Sequence, residues 1–266
     1  MTTIGILGGM SWHSTAHYYR AINERVAAAR GGHASADLLL ASLDFAPVRD
    51  CQVRGDWDAA AALLGDAASR LERAGADCVA IATNLMHKVA PGVEAQVNVP
   101  LIHIADAVAA RARELGATTL GIVGTAWVMD ERFYADRLAA HGIRALSPSP
   151  EARPELDRIV FDELTQGVVT DASRAAFRAA FADLEAAGAE AIVLACTEIM
   201  LLVGADDATV PLLDSCDAHA AALAAIALGE ASAEALAPDA LERVEHGAQG
   251  GHPLGAEPVP HHHGAA

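Results

Sequence analysis

Residues 71–84 read LERAGADCVAIATN, and residues 184–197 read LEAAGAEAIVLACT. The two stretches align without a gap at an offset of 113 residues (184 − 71 = 113). In each, a helix end leads through a glycine into a short, continuous apolar run, and such runs are typical of parallel strands covered on both faces. A polar pair follows each run, Thr83-Asn84 in the first copy and Cys196-Thr197 in the second. The sequence therefore carries one helix–strand–turn unit twice.

Two more pairs of segments extend this repeat in the same order. IGILG at residues 4–8 matches LGIVG at residues 120–124, and VPLI at residues 99–102 matches VPLL at residues 210–213. Three matched blocks at nearly one offset indicate a duplicated α/β protein. Strands are predicted near residues 3–7, 37–43, 78–82, 119–123, 191–195 and 210–213, with amphipathic helices between them.

The order of the blocks predicts a discontinuous division into two halves. We expect one half to comprise residues 1–97 and 208–229, and the other to comprise residues 98–207. Residues 230–266 are expected to form one further helix and then a disordered tail, because Pro, Gly and His dominate the end of the chain. For His261, His262 and His263 we expect disorder or incidental metal affinity, since no acidic neighbours support a metal site.

Composition limits the classes of partner. The chain has 18 Lys and Arg against 35 Asp and Glu, a formal charge of −17, so we expect neither a nucleic-acid surface nor an anionic-membrane surface. No secretory signal opens the sequence, and no apolar run approaches the roughly 20 residues of a membrane helix. Four cysteines without a CxxC pair predict free thiols and a cytoplasmic location.

The polar pairs are candidate reactive groups, because parallel α/β sheets bind ligands at the carboxyl ends of their strands. Cys196 precedes the expected start of a helix, whose N–H groups and dipole would favour the thiolate. Its counterpart Thr83 is expected on the opposite side of the same cleft, as proton transfer at both faces of one carbon requires. Cys51 and Cys78 are expected to be structural, and Cys216 is expected at the cleft floor.

The glycine-rich turn at residues 8–12, GGMSW, is a second feature at a strand end. The region lacks the GxGxxG spacing and the acidic partner of a dinucleotide site. Two compatible interpretations remain, a tight strand-to-helix turn that needs glycine and a surface of backbone amides for a small substrate.

Four segments together resemble the aspartate/glutamate (Asp/Glu/hydantoin) racemase family. They are IGILGGMSWHSTAHYYRAINE at residues 4–24, LDFAPVRDCQ at 43–52, ATNLMHK at 82–88 and LACTEI at 194–199. The resemblance implies two pseudo-symmetric Rossmann-like domains, each with a mostly parallel four-stranded sheet flanked by helices, and an active site in the interdomain cleft. It also implies an isomerase that needs neither pyridoxal phosphate nor a metal.

Carried over residue by residue, the resemblance makes Thr83 and Cys196 the opposed acid and base. It implies substrate-binding roles for Met10, Gln52, Asn84, Leu85, Thr197 and Glu198. Threonine in place of the first catalytic cysteine resembles the L-aspartate/glutamate-specific branch of the family. Two substrate anchors are missing from the sequence pattern: a PDR motif for the distal carboxylate, where residues 47–49 read PVR, and a lysine near residues 162–167, DELTQG.

The predicted function is cofactor-independent interconversion of L- and D-aspartate, glutamate or a close relative by two-base α-proton transfer. Two alternatives stay open: a single-cysteine decarboxylase or isomerase on the same scaffold, and a catalytically silent amino-acid-binding protein. A threonine hydroxyl is a weak acid, so relay of its proton by water or by His87 is one hypothesis, and a purely structural His87 is the other. The partner is a small amino acid, and a homodimer is one assembly that the sequence allows.

Overall fold

The computed structural model describes residues 2–238, which form two α/β halves. The first consists of β1 (Ile4–Gly8), α1 (Trp12–Arg30), β2 (Leu38–Ser42), α2 (Phe45–Arg54), α3 (Trp57–Arg73), β3 (Cys78–Ile81), a 3-10 helix (Leu85–Val89), α4 (Ala90–Glu94), β4 (Leu101–Ile102) and α5 (Ile104–Glu114). The second begins with β5 (Thr119–Gly124), α6 (Ala126–Asp130), α7 (Arg132–Ala139), β6 (Arg144–Leu146), α8 (Arg153–Arg158), a π-helix (Ile159–Glu163) and a 3-10 helix (Leu164–Gln166). It continues with α9 (Asp171–Ala186), β7 (Ala191–Ala195), 3-10 helices (Thr197–Leu201 and Ala205–Asp207), β8 (Leu212–Asp214), α10 (Ser215–Leu228) and α11 (Ala233–Leu236).

The two sheets have the same order and direction. The first has the order β2-β1-β3-β4 and the second has the order β6-β5-β7-β8, with every pairing parallel. Strands β1, β3 and β7 are buried along their whole length because helices cover both faces of each sheet. The predicted fold class, two similar four-stranded α/β domains, is therefore confirmed.

The structure corrects the predicted division of the chain at the last strand of each sheet. Strand β4 pairs with β3 in the first sheet, although residues 98–102 were expected in the second half. Strand β8 pairs with β7 in the second sheet, although residues 208–214 were expected in the first half. The chain passes from one half to the other only after each of these strands. The repeat offset does not indicate where this crossing occurs.

The helices that follow these two strands do cross to the other half. Helix α5 packs in a core cluster with Leu120 and Ile122 of β5, whereas α10 packs with Ile4 and Ile6 of β1. Each sheet thus has one face covered by a helix that follows the last strand of the other sheet. This exchange of helices holds the two halves against each other.

Polar residues that follow strands start four of the helices. Ser11, Asp44, His103 and Asp214 each accept a hydrogen bond from a backbone N–H in the first turn of α1, α2, α5 or α10. Such caps satisfy donors that have no partner within the helix. The capping residues therefore determine where these four helices begin.

The prediction for the C-terminal segment can be compared with the structure only up to residue 238. Helix α11 lies within the predicted C-terminal helix, and residues 239–266, including His261, His262 and His263, lie outside the described residues. Within residues 2–238, no helix is both long and apolar enough to span a membrane.

Candidate active site

Thr83 and Cys196 occupy equivalent turns at the carboxyl ends of the two sheets. Thr83 lies two residues beyond the end of β3, and Cys196 follows the last residue of β7 directly. Both side chains are half-buried. The placement agrees with the repeat, which aligns the two residues in sequence.

Hydrogen bonds tie each of these turns to the opposite half of the molecule. The Asn84 side-chain Nδ2 donates to Ser215 Oγ at 3.0 Å, and Ser215 Oγ donates to the carbonyl of Leu194 in β7 at 2.9 Å. On the other side, the hydroxyl groups of Ser14 in α1 and Thr197 lie 2.8 Å apart. The residue after Thr83 is therefore tied to the second half, and the residue after Cys196 is tied to the first.

Cys196 shares its hydrogen-bond acceptor with Thr197. The Cys196 thiol and the Thr197 hydroxyl both donate to Glu198 Oε2, at 3.1 and 2.7 Å. Because the single Thr197 proton is directed to Glu198, Ser14 must donate to Thr197. Glu198 is thus the acceptor at which the hydrogen bonds from α1, through Thr197, and from the Cys196 sulfur meet.

The surroundings of Cys196 disfavour the thiolate that the sequence predicts. Burial, and after it the neighbouring Glu198 carboxylate, raise the pKa of the Cys196 thiol well above its ordinary value. The 3-10 helix that follows has only five residues, so its dipole is too small to favour the thiolate as the sequence suggested. The free protein therefore holds Cys196 as a neutral thiol that donates to Glu198.

His87 holds the Thr83 turn in place. Its Nδ1 lies 2.8 Å from the Thr83 carbonyl oxygen, and its Nε2 accepts from the Ile104 N–H at 3.1 Å. Burial is the main cause that lowers the pKa of His87 to about 3, so the ring is neutral, with its proton on Nδ1. Both ring nitrogens are engaged with backbone groups, which favours the structural role over proton relay.

Three other predicted substrate contacts, Met10, Gln52 and Leu85, are buried side chains. Met10 packs in a hydrophobic core cluster of the first half, and Leu85 packs in a core cluster of the second half. Gln52 is buried, accepts from Arg49 Nη1 at 3.1 Å and donates to the Met86 sulfur at 3.1 Å. Direct contact of these residues with a substrate stays a prediction.

The glycine-rich turn is built for packing at Gly9. This residue has φ of 90°, and a Cβ added there would lie 2.1 Å from the Leu43 carbonyl oxygen. Its N–H donates to Thr15 Oγ1 at 2.9 Å. Backbone conformation and close approach therefore both require glycine, and this amide is already used within the protein.

Arg49 is a functional candidate that the sequence analysis missed. It lies on α2 of the first half, and its guanidinium carbon stacks over two rings of the second half, Trp127 at 5.4 Å and Phe161 at 5.2 Å from the ring centroids. No ion pair of Arg49 with a carboxylate is found within the part of the chain that the structure describes. The sequence feature that could have indicated Arg49 is its position three residues before Gln52, which puts both side chains on the same face of α2.

The remaining cysteines are free thiols in the interior. Burial raises the pKa of Cys78, in β3, to about 12, and Cys51 and Cys216 are also buried. No group of three or more His, Cys, Asp or Glu side chains arranged to hold a metal occurs between residues 2 and 238. Cys196 is the most exposed of the four thiols.

The contact between Cys196 and Glu198 predicts a shift in thiol reactivity. Glu198→Gln removes a negative charge next to the sulfur, so the pKa of Cys196 falls and alkylation by iodoacetamide begins at lower pH than in the parent. Peptide mass spectrometry across a pH series measures this at Cys196 alone. Glu151→Gln, at an exposed position, should leave the profile unchanged, and an unchanged profile for Glu198→Gln would contradict the assigned contact.

Solved structures with this duplicated fold include several racemases. A candidate Asp/Glu racemase from Yersinia pestis is 44% identical, with 86% of this chain and 100% of that chain covered and a TM-score of 0.83. An aspartate racemase homologue from Pyrococcus horikoshii is 32% identical, with coverage of 86% and 100% and a TM-score of 0.75. The aspartate racemase of Picrophilus torridus, at 17% identity, coverage of 86% and 94% and a TM-score of 0.63, shares the fold.

A family model assigns the chain more directly. Residues 7–223 match the model of the Asp/Glu/Hydantoin racemase family. This span begins near the end of β1, includes the other seven strands, and contains both Thr83 and Cys196. The chain therefore belongs to the Asp/Glu/hydantoin racemase family.

Proposed function

We propose that this protein interconverts the L and D forms of aspartate, glutamate or a close relative by proton transfer between the α-carbon and two side chains, Cys196 and Thr83. The observation that carries the proposal is that hydrogen bonds tie the turn after β3 to strand β7, and the turn after β7 to helix α1 of the first half. An α-carbon held between the turns has one proton-carrying side chain on each face, as inversion requires. We place this reaction in the cytoplasm, as expected for a protein with free thiols.

In this proposal, substrate binding favours ionisation of the neutral Cys196 thiol. The ammonium group of an amino acid brings a positive charge close to Cys196, and a nearby opposite charge favours the ionised form of a thiol. Glu198, which already accepts the Cys196 hydrogen bond, is the adjacent group able to take the thiol proton. The thiolate then forms only in the occupied site, where it removes the α-proton.

No cofactor is needed in this scheme, because donors in the turns stabilise the developing negative charge at the substrate carboxylate. A pyridoxal phosphate Schiff base would need a lysine, and Lys88 is the single lysine of the sequence. Lys88 forms an ion pair with Glu131 and stacks on the Trp57 ring at 4.4 Å. Its amine is therefore engaged in joining the two halves.

The choice of an acidic substrate rests on Arg49. A guanidinium is suited to a planar carboxylate, and this one reaches across the cleft from α2 to Trp127 and Phe161. The formal charge of −17 makes such a local cation more necessary for an anionic substrate. Arg49 would bind the side-chain carboxylate, with Gln52 fixing its orientation.

Proton NMR in D₂O tests the proposed reaction. L- and D-aspartate, L- and D-glutamate and matched neutral amino acids are incubated with the protein, with EDTA present and pyridoxal phosphate absent. We expect loss of the α-proton signal and appearance of the opposite enantiomer for an acidic amino acid. Binding without exchange would indicate a silent binding protein, and carbon dioxide release from a substituted malonate would indicate the decarboxylase alternative.

Arg49→Met tests the substrate class. We expect KM for the acidic substrate to rise about 10-fold to 100-fold, on the order of one lost hydrogen bond to a charged group, with a smaller change in kcat. Arg54→Met, an exposed arginine of the same helix, is the matched control and should leave KM unchanged. If KM of Arg49→Met stays at the parent value, the side-chain carboxylate is bound elsewhere.

A further inference from the structure

Ser215 occupies a position between the two catalytic turns. It is the first residue of α10, and its side chain is fully buried, with 0% exposure. Its hydroxyl oxygen contacts the Asn84 side chain, next to Thr83, and the Leu194 carbonyl, two residues before Cys196. Ser215 therefore links the first turn to the strand that carries the second.

The direction of each hydrogen bond in this link follows from chemistry alone. A serine hydroxyl has one proton, and a backbone carbonyl can only accept, so that proton is committed to Leu194. Ser215 Oγ is then left as an acceptor, and only the NH₂ end of the Asn84 amide can satisfy it. The alternative amide orientation would set two oxygens against each other with no proton between them.

The fixed orientation leaves the other end of Asn84 without a partner. Asn84 is 5% exposed, and its Oδ1 has no hydrogen-bond partner among residues 2–238. A buried carbonyl oxygen without a donor costs free energy, which a ligand that brings a donor recovers. Because Asn84 directly follows Thr83, this unsatisfied acceptor lies in the turn that carries the proposed acid.

We propose that Ser215 is a positioning residue for substrate recognition, which holds the Asn84 amide so that Oδ1 accepts a hydrogen bond from the substrate ammonium group. The inference deepens the proposed function, on which it rests, by naming the group that selects amino acids. A dicarboxylate without an amine leaves Oδ1 unsatisfied and binds more weakly, since a site built for a hydrogen bond discriminates against analogues that lack it. Ser215 thereby sets specificity without contacting the substrate.

Binding calorimetry with aspartate and succinate tests the role of Ser215. Succinate has the same two carboxylates and no ammonium group. In Ser215→Ala the Asn84 amide is free to turn over, so we expect affinity for aspartate to fall at least about 10-fold, as for loss of a hydrogen bond to a charged group, while affinity for succinate changes little. Ser215→Thr keeps the hydroxyl and should retain most of the preference for aspartate.

A double-mutant cycle separates positioning from a purely structural effect. If Ser215 acts through Asn84, then Ser215→Ala should cause no further loss of aspartate affinity in an Asn84→Ala background. Ser173→Ala removes another buried serine hydroxyl, which is bonded to Thr170 within the second half, and should leave the aspartate-to-succinate ratio unchanged. Circular dichroism confirms that every variant is folded.

Three results would overturn the inference. They are equal losses of aspartate and succinate affinity in Ser215→Ala, additive losses in the double variant, and parent protein that binds succinate as tightly as aspartate. The proposed racemisation fails separately: an ammonium-dependent preference without α-proton exchange would disprove catalysis and leave the role of Ser215 intact.

Discussion

Cys196→Ser should abolish both α-deuterium exchange and racemisation, with a fall of at least about 100-fold in either direction, because the variant loses the proposed general base. A serine hydroxyl is a far weaker acid than a thiol, and the Glu198 carboxylate beside it makes ionisation harder still. Enantiomers have equal free energy, so kcat/KM must fall equally for the L and D substrates. Proton NMR in D₂O measures exchange, and polarimetry or chiral chromatography measures inversion.

The design of this experiment depends on an intact fold. Serine is close to cysteine in size, and the site is half-buried and already contains a hydrogen-bond acceptor for a hydroxyl, so the unfolding midpoint should change little. Cys51→Ser, at a buried thiol of α2, serves as the matched control and should retain activity. Exchange by Cys196→Ser at the parent rate would remove Cys196 from the mechanism.

The fold was predictable because duplication leaves a record in the sequence. The strands at residues 78–82 and 191–195 were predicted to within one residue of the observed β3 and β7, since both are short, fully buried apolar runs. The crossing point of the chain was not predictable. Whether Ile102 and Leu213 pair with the preceding or the following sheet depends on contacts between distant segments, and the repeat is identical for both arrangements.

The candidate site, like the fold, was predictable only in part from the sequence. Thr83 and Cys196 follow from local sequence, because each stands at the end of a repeated strand. The state of Cys196 does not, since its pKa depends on burial and on the side-chain orientation of Glu198. The roles proposed for Arg49 and Ser215 depend on contacts with residues 78 and 131 positions away, Trp127 and Asn84, and no local pattern encodes such contacts.

Removal of the Thr83 hydroxyl should separate inversion from exchange. If Cys196 is the base, it should still remove and return the α-proton on its own side in Thr83→Ala, so one enantiomer should lose its α-proton signal at a rate within about 10-fold of the parent. Inversion needs a proton on the other face and should fall about 100-fold or more, the usual contribution of a general acid. Thr83→Val gives the same loss at nearly unchanged shape, whereas Thr83→Ser keeps the hydroxyl and should keep inversion.

Thr83→Cys should produce the opposite result, because it creates a pair of thiols at the two equivalent turns. The enantiomer that presents its α-proton to this side should exchange faster than in the parent, and the pH profile should gain a second thiol ionisation. The threonine cannot make the parent enzyme one-directional, since any catalyst of inversion must give equal kcat/KM for both enantiomers. It can only slow the exchange on one face. If Thr83→Val inverts its substrate at the parent rate, the second proton comes from water, because both nitrogens of His87 are bonded to backbone groups, and the single-cysteine alternatives become the better explanation of the site.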